Sequence, residues 1–279
     1  MGHLERRRLV VNADDFGRSR SINEAVIRAH REGILTTASL MVTGEAAEEA
    51  VRLARETPTL GVGLHLTLVH GSSVLPASNI PGLVDPGGQF SNQPAVAGLR
   101  YWLRRGLREE LKAELSAQFG RFRETGLPLD HVNGHLHLHL HPVVFDILAA
   151  NSRDWGVKAM RLTRDSMRLS IRCQSGRWGY RLSHAVIFAA LSAWARPGFR
   201  RLGIWHTDRV VGLLADGVVD EGYLLKLLPR LRAGDVELYA HPSMTAFRHE
   251  YEALVSPRVR RLVEELGWKC VRYADLAGR

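Results

Sequence analysis

Arg8-Leu-Val-Val-Asn12-Ala-Asp14-Asp15-Phe16-Gly17 is the stretch on which the fold turns. Its first four residues read as a short buried strand, which puts Asn12 to Gly17 at the strand's C-terminal end. In parallel α/β folds that end carries the chemistry, because the loops after each strand converge there. Two adjacent carboxylates can divide the work, one holding a metal ion while the other accepts a proton. They can equally do no more than cap the next helix, since aspartate accepts hydrogen bonds from free amides at a helix start.

Outward from this stretch the chain alternates. Ser21 to Gly33 has the spacing of an amphipathic helix closed by glycine. Residues 35–42 and 60–67 read as strands, 45–55 as the helix between them, and His65 falls near a strand end. Residues 70–94, rich in Gly, Pro and Ser, form a long loop above the expected catalytic face and a candidate lid. Helical spacing returns at 95–125, 143–152 and 220–232. Strands are expected at 157–162, ending near Arg161, and at 235–242, ending in His241; a helix and a short strand close the chain. Arg161 could clamp a carboxylate, orient Asp14 or contact a polar substrate, with a surface ion pair as the plain alternative. This alternation and length point to one α/β domain over residues 1–279, of a size usual for a (β/α) barrel.

The densest chemistry lies in His131-Val-Asn-Gly-His135-Leu-His137-Leu-His139-Leu-His141-Pro142, which holds five of the thirteen histidines. Neutral imidazole binds divalent Zn, Fe, Co and Ni well, so such a cluster asks for a metal. As one strand, residues 135–141 would place neighbouring histidines about 6.6 Å apart on one face. As a helical turn after Asn133-Gly134, His135 and His139 would share a face instead. In either geometry most of these histidines are not ligands, and the site needs an anionic partner from elsewhere in the chain.

Composition narrows the field. The chain has 279 residues, 45% of them hydrophobic, and a net charge of +9 carried mostly by arginine. That charge admits anionic lipid or phosphate-bearing partners, while no motif of a nucleic-acid module is present, so no nucleic acid is expected. Cys173 and Cys270 have neither metal-pair nor disulfide-framework spacing, which suits a reducing, cytoplasmic setting. The basic start of the chain is broken at once by Asn12, Asp14 and Asp15 and is not expected to be a signal peptide. No window reaches the roughly 18 apolar residues of a spanning helix. Residues 164–201 stand out as an insertion, with the apolar run 184–195 flanked by Arg172, Arg177, Arg181, Arg196, Arg200 and Arg201. That mixture suits peripheral contact with an anionic membrane, with an ordinary buried helix as the alternative.

Asn12-Ala-Asp-Asp-Phe-Gly17, Gly63-Leu-His65-Leu, His131-Val-Asn-Gly-His135 and Glu237-x-x-x-His241-Pro, in this order and spacing, resemble the YdjC-like carbohydrate deacetylases, the chitooligosaccharide deacetylase family. The resemblance covers most of the chain and is closest to the hopanoid-biosynthesis-associated branch, HpnK, whose members are implicated in removing the acetyl group of an N-acetylglucosaminyl hopanoid. It implies a distorted (β/α) barrel with one divalent ion, Zn or Mg first, and Mn, Co or Ni also compatible. Asp15, His65 and His135 match the metal positions, Asp14 the base, His241 a histidine at the rim and Arg161 an arginine near the substrate. His139 and Asn133 are expected beside the ligands. Asn133 and Gly134 replace the acidic and hydroxyl residues of the commoner His-x-Asp-Ser-His form, which removes a charge near the ion. The implied chemistry is hydrolysis of a GlcNAc-bearing lipid or oligosaccharide, with the ion activating water, Asp14 taking its proton and His241 protonating the amine that leaves.

Two other classes compete. A barrel metallophosphoesterase would suit the basic charge but needs more carboxylate ligands than these motifs supply. A non-catalytic metal- or lipid-binding protein leaves Asp14 and Asp15 without a task.

Overall fold

The computed structural model describes residues 6–277. The first five residues, which enter the expectations for the basic start and for a domain over 1–279, lie outside the described residues, as do the last two. Strand β1 (Arg7–Phe16) leads to helix α1 (Arg20–Glu32), β2 (Thr37–Leu40) to α2 (Ala47–Arg55), and β3 (Gly61–Leu66) through the long loop to α3 (Pro94–Leu103) and α4 (Leu107–Glu124). Strand β4 (Val132–Gly134) runs into a 3-10 turn (His135–Leu140) and α5 (Pro142–Asn151), and α6 (Met167–Cys173) and α7 (Trp178–Leu202) follow. The chain closes with β5 (Arg209–Val211), α8 (Glu221–Leu227), β6 (Gly234–Ala240), α9 (Arg248–Val255), α10 (Pro257–Glu265), β7 (Lys269–Cys270) and α11 (Ala274–Ala277).

The strands form one parallel sheet in the order β4-β3-β2-β1-β6-β5. β7 pairs with the first half of β1, at Arg8 and Leu9, before β2 takes over that edge at Asn12. β1 is thus central and covered on both faces, and every residue from Leu9 to Phe16 is buried. A strand in that position has to read as a continuous apolar run, as Leu-Val-Val does. Helix α1 starts where Ser19 accepts from the amide of Ile22, and Gly33 ends it; serine at the cap satisfies one of the amides left free by the first turn.

The two edges of the sheet are joined by residues 158–164. The Val132 amide donates to the Ala159 carbonyl and the Arg161 amide to the Val132 carbonyl, both at 3.0 Å. On the other side the Met160 amide donates to the Trp205 carbonyl at 3.0 Å and the Trp205 amide to the Lys158 carbonyl at 2.9 Å, and the Val210 amide donates to the Arg164 carbonyl at 3.0 Å. The curled sheet therefore closes into the distorted (β/α) barrel expected. The expected strand at 157–162 survives only as isolated bridges to Val132 and Trp205, because it has to serve two edges that are not in register.

One other expectation shifts. The helix over 95–125 is two helices, broken at residues 104–106, where Arg104 is extended and Gly106 gives a weak helix start. The long loop is pinned to α4: buried Glu114 accepts from the amides of Val74 and Leu75, and Glu110 from that of Gly82. No helix among the described residues is long and apolar enough to cross a membrane.

Candidate functional site

The site is assembled where β1, β3, β4 and β6 end at the barrel's upper rim. A bulge in the β1–β2 pairing between Ala13 and Phe16 puts Asp15 at φ 64, in the left-handed region that non-glycine residues seldom enter. The result is that Asp14 and Asp15 both face the barrel mouth. His65 stands on β3, and the β3–β4 register sets it directly opposite Asn133. The close approach of those strands requires Gly63: a Cβ there would lie 2.5 Å from the His131 ring and 2.6 Å from its carbonyl. His135 begins the turn after β4.

Asp15 gathers the histidines. Its Oδ1 lies 2.9 Å from His135 Nδ1 and 3.2 Å from His65 Nε2, while Arg18 donates to Oδ2 at 2.7 Å. All three of Asp15, His65 and His135 are buried, and one ligand atom from each lies within 4.8 Å of the others. Burial alone would raise the Asp15 carboxyl, but the bond from His135 and the charge of His241 outweigh this and hold it well below the usual range.

The hydrogen bonds around this triangle test whether it suits a metal ion. Asn133 Nδ2 donates to Asp14 Oδ1 at 3.0 Å and to Ser39 Oγ at 2.8 Å, which turns its carbonyl oxygen to His65 Nδ1 at 2.7 Å. Asp14 is acceptor-only, so this fixes the amide's orientation, and His65 Nδ1 must carry the proton. His65 Nε2 is then left buried with no hydrogen-bond partner, its lone pair aimed at an anionic oxygen. A lone pair facing a carboxylate at 3.2 Å is repulsive unless a cation lies between them. Two imidazoles and one carboxylate, one imidazole held by a neighbour's hydrogen bond, is a donor set that fits a divalent ion with open positions for water and substrate.

Asp14 sits beside the triangle and is held from behind. Arg161 grips it with two bonds, Nη1 to Oδ2 at 2.7 Å and Nη2 to Oδ1 at 2.8 Å. Asn12 Nδ2 adds a third bond to Oδ1 at 2.7 Å. Arg161 also donates to Glu237 Oε1 from Nε and Nη2, and the Tyr273 hydroxyl donates to the other Glu237 oxygen. Burial would raise the Asp14 carboxyl, but the charge of Arg161 and its two bonds reverse that and keep it ionised well below the usual range. Arg161 has no accessible surface. This corrects the expectation of an arginine at the substrate: of the roles left open by its position, the geometry leaves it orienting Asp14.

His241, at the end of β6, faces the mouth from the opposite wall. Its Nδ1 lies 3.3 Å from Asp216 Oδ1 and its Nε2 3.1 Å from the Tyr239 hydroxyl, which itself donates to Asp216 at 3.0 Å. Burial alone would lower the imidazole, yet the Asp216 bond and the charges of Asp15, Asp216 and Asp14 push it up to about 9. Asp216 had no signal in the sequence, because it lies in a turn after β5 and meets His241 only in space.

The remaining histidines fall where neither a single strand nor a single helix would place them. Leu136 and His137 both take positive φ, at 49° and 60°, so the segment kinks. His139 turns away from His135, fully buried, with Nε2 2.9 Å from the Arg161 carbonyl; burial first, then the Arg161 charge, pushes it down to about 3. It thus fastens the segment that carries Arg161. His137 packs against Phe188 and Tyr239, and His141 contacts the Gly98 carbonyl at 3.0 Å. His131 receives Ser39, which also accepts from Asn12 and Asn133. The whole network closes on a cavity of about 240 Å³ at which Asp14, Asp15, His65, His135, Asp216 and His241 meet.

Comparison with known proteins places this chain in a family. The family model described as YdjC-like protein matches residues 8–265. A carbohydrate deacetylase of Brevibacillus brevis is 43% identical over 54% of this chain and 57% of its own length, so the matched part spans little more than half of that relative. A chitooligosaccharide deacetylase of Escherichia fergusonii is 33% identical over 97% of this chain and 99% of its own. A crystal structure from Enterococcus faecalis V583, provisionally named a cellobiose-phosphate cleavage protein, shares the fold with a TM-score of 0.74 and 24% identity, covering 97% of this chain and 99% of that one.

Proposed function

The chain belongs to the YdjC-like protein family, and from that premise we propose that it is a carbohydrate N-deacetylase, hydrolysing the acetamide of an N-acetylglucosaminyl substrate to the free amine and acetate. The observation that carries the reading is the buried Asp15–His65–His135 triangle with an orphaned His65 Nε2, set between an oriented carboxylate and a protonated histidine. The first relatives named carbohydrate and chitooligosaccharide deacetylases support it.

Asp15, His65 and His135 would hold one divalent ion. When bound, such an ion acts as a Lewis acid on the acetamide and makes water a better nucleophile. The chain's own groups do the rest. Asp14, ionised and fixed by Arg161, aligns the attacking water and receives its proton. Its depressed pKa means that it holds that proton only in passing, which is why a separate acid is needed. His241, protonated at neutral pH through Asp216, donates to the nitrogen as the C–N bond breaks. Tyr239 and Asp216 keep the ring turned to the mouth.

The acceptor is the finer question. Exposed apolar residues beside the mouth favour a GlcNAc-bearing lipid such as a hopanoid, reached through peripheral contact of residues 164–201 with an anionic membrane. The name of the Escherichia relative favours a soluble chitooligosaccharide instead. Metal-loaded protein given diacetylchitobiose should release one acetate for each amine unmasked. No acetate from this sugar or from an N-acetylglucosaminyl hopanoid, with the ion bound, would refute the deacetylase reading.

A further inference from the structure

All twelve large hydrophobic side chains that are exposed among the described residues lie on α3, the His135–Leu140 turn, α6, α7 or Phe247 beside His241. On α3 the stripe Val96, Leu99, Trp102 and Leu103 recurs at helical spacing, and each is 56–69% exposed, while Ala97 and Tyr101 face the protein. Helix α7 is built the same way. Trp178, Leu182, Val186, Ile187 and Trp194 face outward at 45–62%, whereas Arg181 is fully buried on the inner face, donating to Ser170 and to the carbonyls of Gln174 and Gly176. In a water-facing helix the apolar residues belong inside; here α7 buries Phe188, Ala195 and Phe199 and α3 buries Ala97 and Tyr101, and both carry a second apolar stripe outward.

The two helices share a neighbour, and α7 begins at the mouth. Helices α3 and α7 both pack on α5, through His141 to the Gly98 carbonyl on one side and Phe145 against Trp194 on the other. Arg177, at the start of α7, donates to the carbonyl of Asp216, the partner of His241. Leu136, 47% exposed, stands at the edge of the catalytic cavity.

Charge selects the occupant. Residues 94–108 carry Arg100, Arg104, Arg105 and Arg108 and no carboxylate, and residues 164–201 carry seven arginines besides the buried Arg181 against Asp165 alone. A second copy of the chain on this face would set arginine against arginine. An anionic bilayer satisfies both features, taking tryptophan and leucine at the headgroup boundary and arginine at the phosphates. We propose that α3 and α7 form a two-legged membrane-docking rim beside the active-site mouth, so that the acetylated sugar is met at the bilayer surface. The choice of a lipid-borne acceptor rests on the functional reading above; the docking itself does not depend on turnover.

Flotation of the full chain with phosphatidylglycerol vesicles, against phosphatidylcholine vesicles, tests this directly. The wild type should float with the anionic vesicles only, and less in high salt. Leu99→Ser/Trp102→Ser/Leu103→Ser on α3 should lower the partition coefficient at least tenfold while thermal unfolding is unchanged, and Leu182→Ser/Val186→Ser on α7 should do likewise. No flotation of the wild type, flotation untouched by the α3 substitutions, or a dimer in light scattering that the same substitutions dissolve would each overturn the proposal. Vesicle binding without acetate release would leave it standing and count against the deacetylase reading alone.

Discussion

Replacing Asp216 by asparagine removes the charge that keeps His241 protonated while leaving the turn and the side-chain shape in place. At the 3.3 Å separation of His241 Nδ1 and Asp216 Oδ1, an effective dielectric of about 20 gives roughly 5 kcal/mol of attraction. The Asp216 side chain is 36% exposed, and solvent screening reduces that to roughly 1–2 kcal/mol, or about one pKa unit. The folded-state pKa of His241 is raised, so its acid form is complete below that value and lost as pH rises through about 9. In Asp216→Asn this loss should come near pH 8, which costs about threefold in kcat/KM at pH about 8.5 and only about a tenth at pH about 7. A bound cation would lower both values alike and leave their difference. The pH profile of acetate release from diacetylchitobiose, wild type against Asp216→Asn, reads this out. An alkaline limb that does not move, or a loss of rate that is uniform across pH, would refute the role given to the pair.

Asp14→Asn should abolish turnover yet bind the divalent ion as the wild type does, whereas His135→Ala should lose both; equal metal loss by equilibrium dialysis in the two variants would exchange the roles of the aspartates. Asn133→Ala frees His65 Nδ1 and should weaken metal binding by about 10–100-fold, and an unchanged Kd would contradict the tautomer argument. Arg161→Met leaves Asp14 and Glu237 buried without a counter-charge and should cost about 3–5 kcal/mol, which calorimetry would show as a fall in Tm. That deficit should shrink in acid, since stability from a depressed carboxyl is present above its ordinary pKa and lost as pH falls through the folded value; a constant deficit down to pH about 3 would argue against the pairing.

Much of the site was legible because strand ends are legible. The apolar run before Asp14-Asp15, the glycine two residues ahead of His65 and the Asn-Gly before His135 each mark a backbone device that the fold then uses: a bulge, a close strand approach, a kink. What the sequence concealed is of two kinds. Asp216 meets His241 only through the packing of a turn against β6, and no spacing along the chain encodes that. Helical periodicity in 95–125 and 164–201 shows that a stripe exists but not which side the barrel takes, so the outward-facing Trp102 and Leu182 were invisible. Arg161 could be placed at a strand end, yet its direction depended on two carboxylates from β1 and β6 pulling it inward.

The most direct test is mass spectrometry of metal-reconstituted protein incubated with an N-acetylglucosaminyl hopanoid and, separately, with diacetylchitobiose. Loss of one acetyl group from the sugar is expected in at least one case, and loss from the lipid alone would join the chemistry to the docking rim. Loss from the soluble sugar alone would keep the deacetylase and remove the lipid acceptor. No loss from either, with one ion bound to Asp15, His65 and His135, would contradict the assignment of this site as a carbohydrate N-deacetylase.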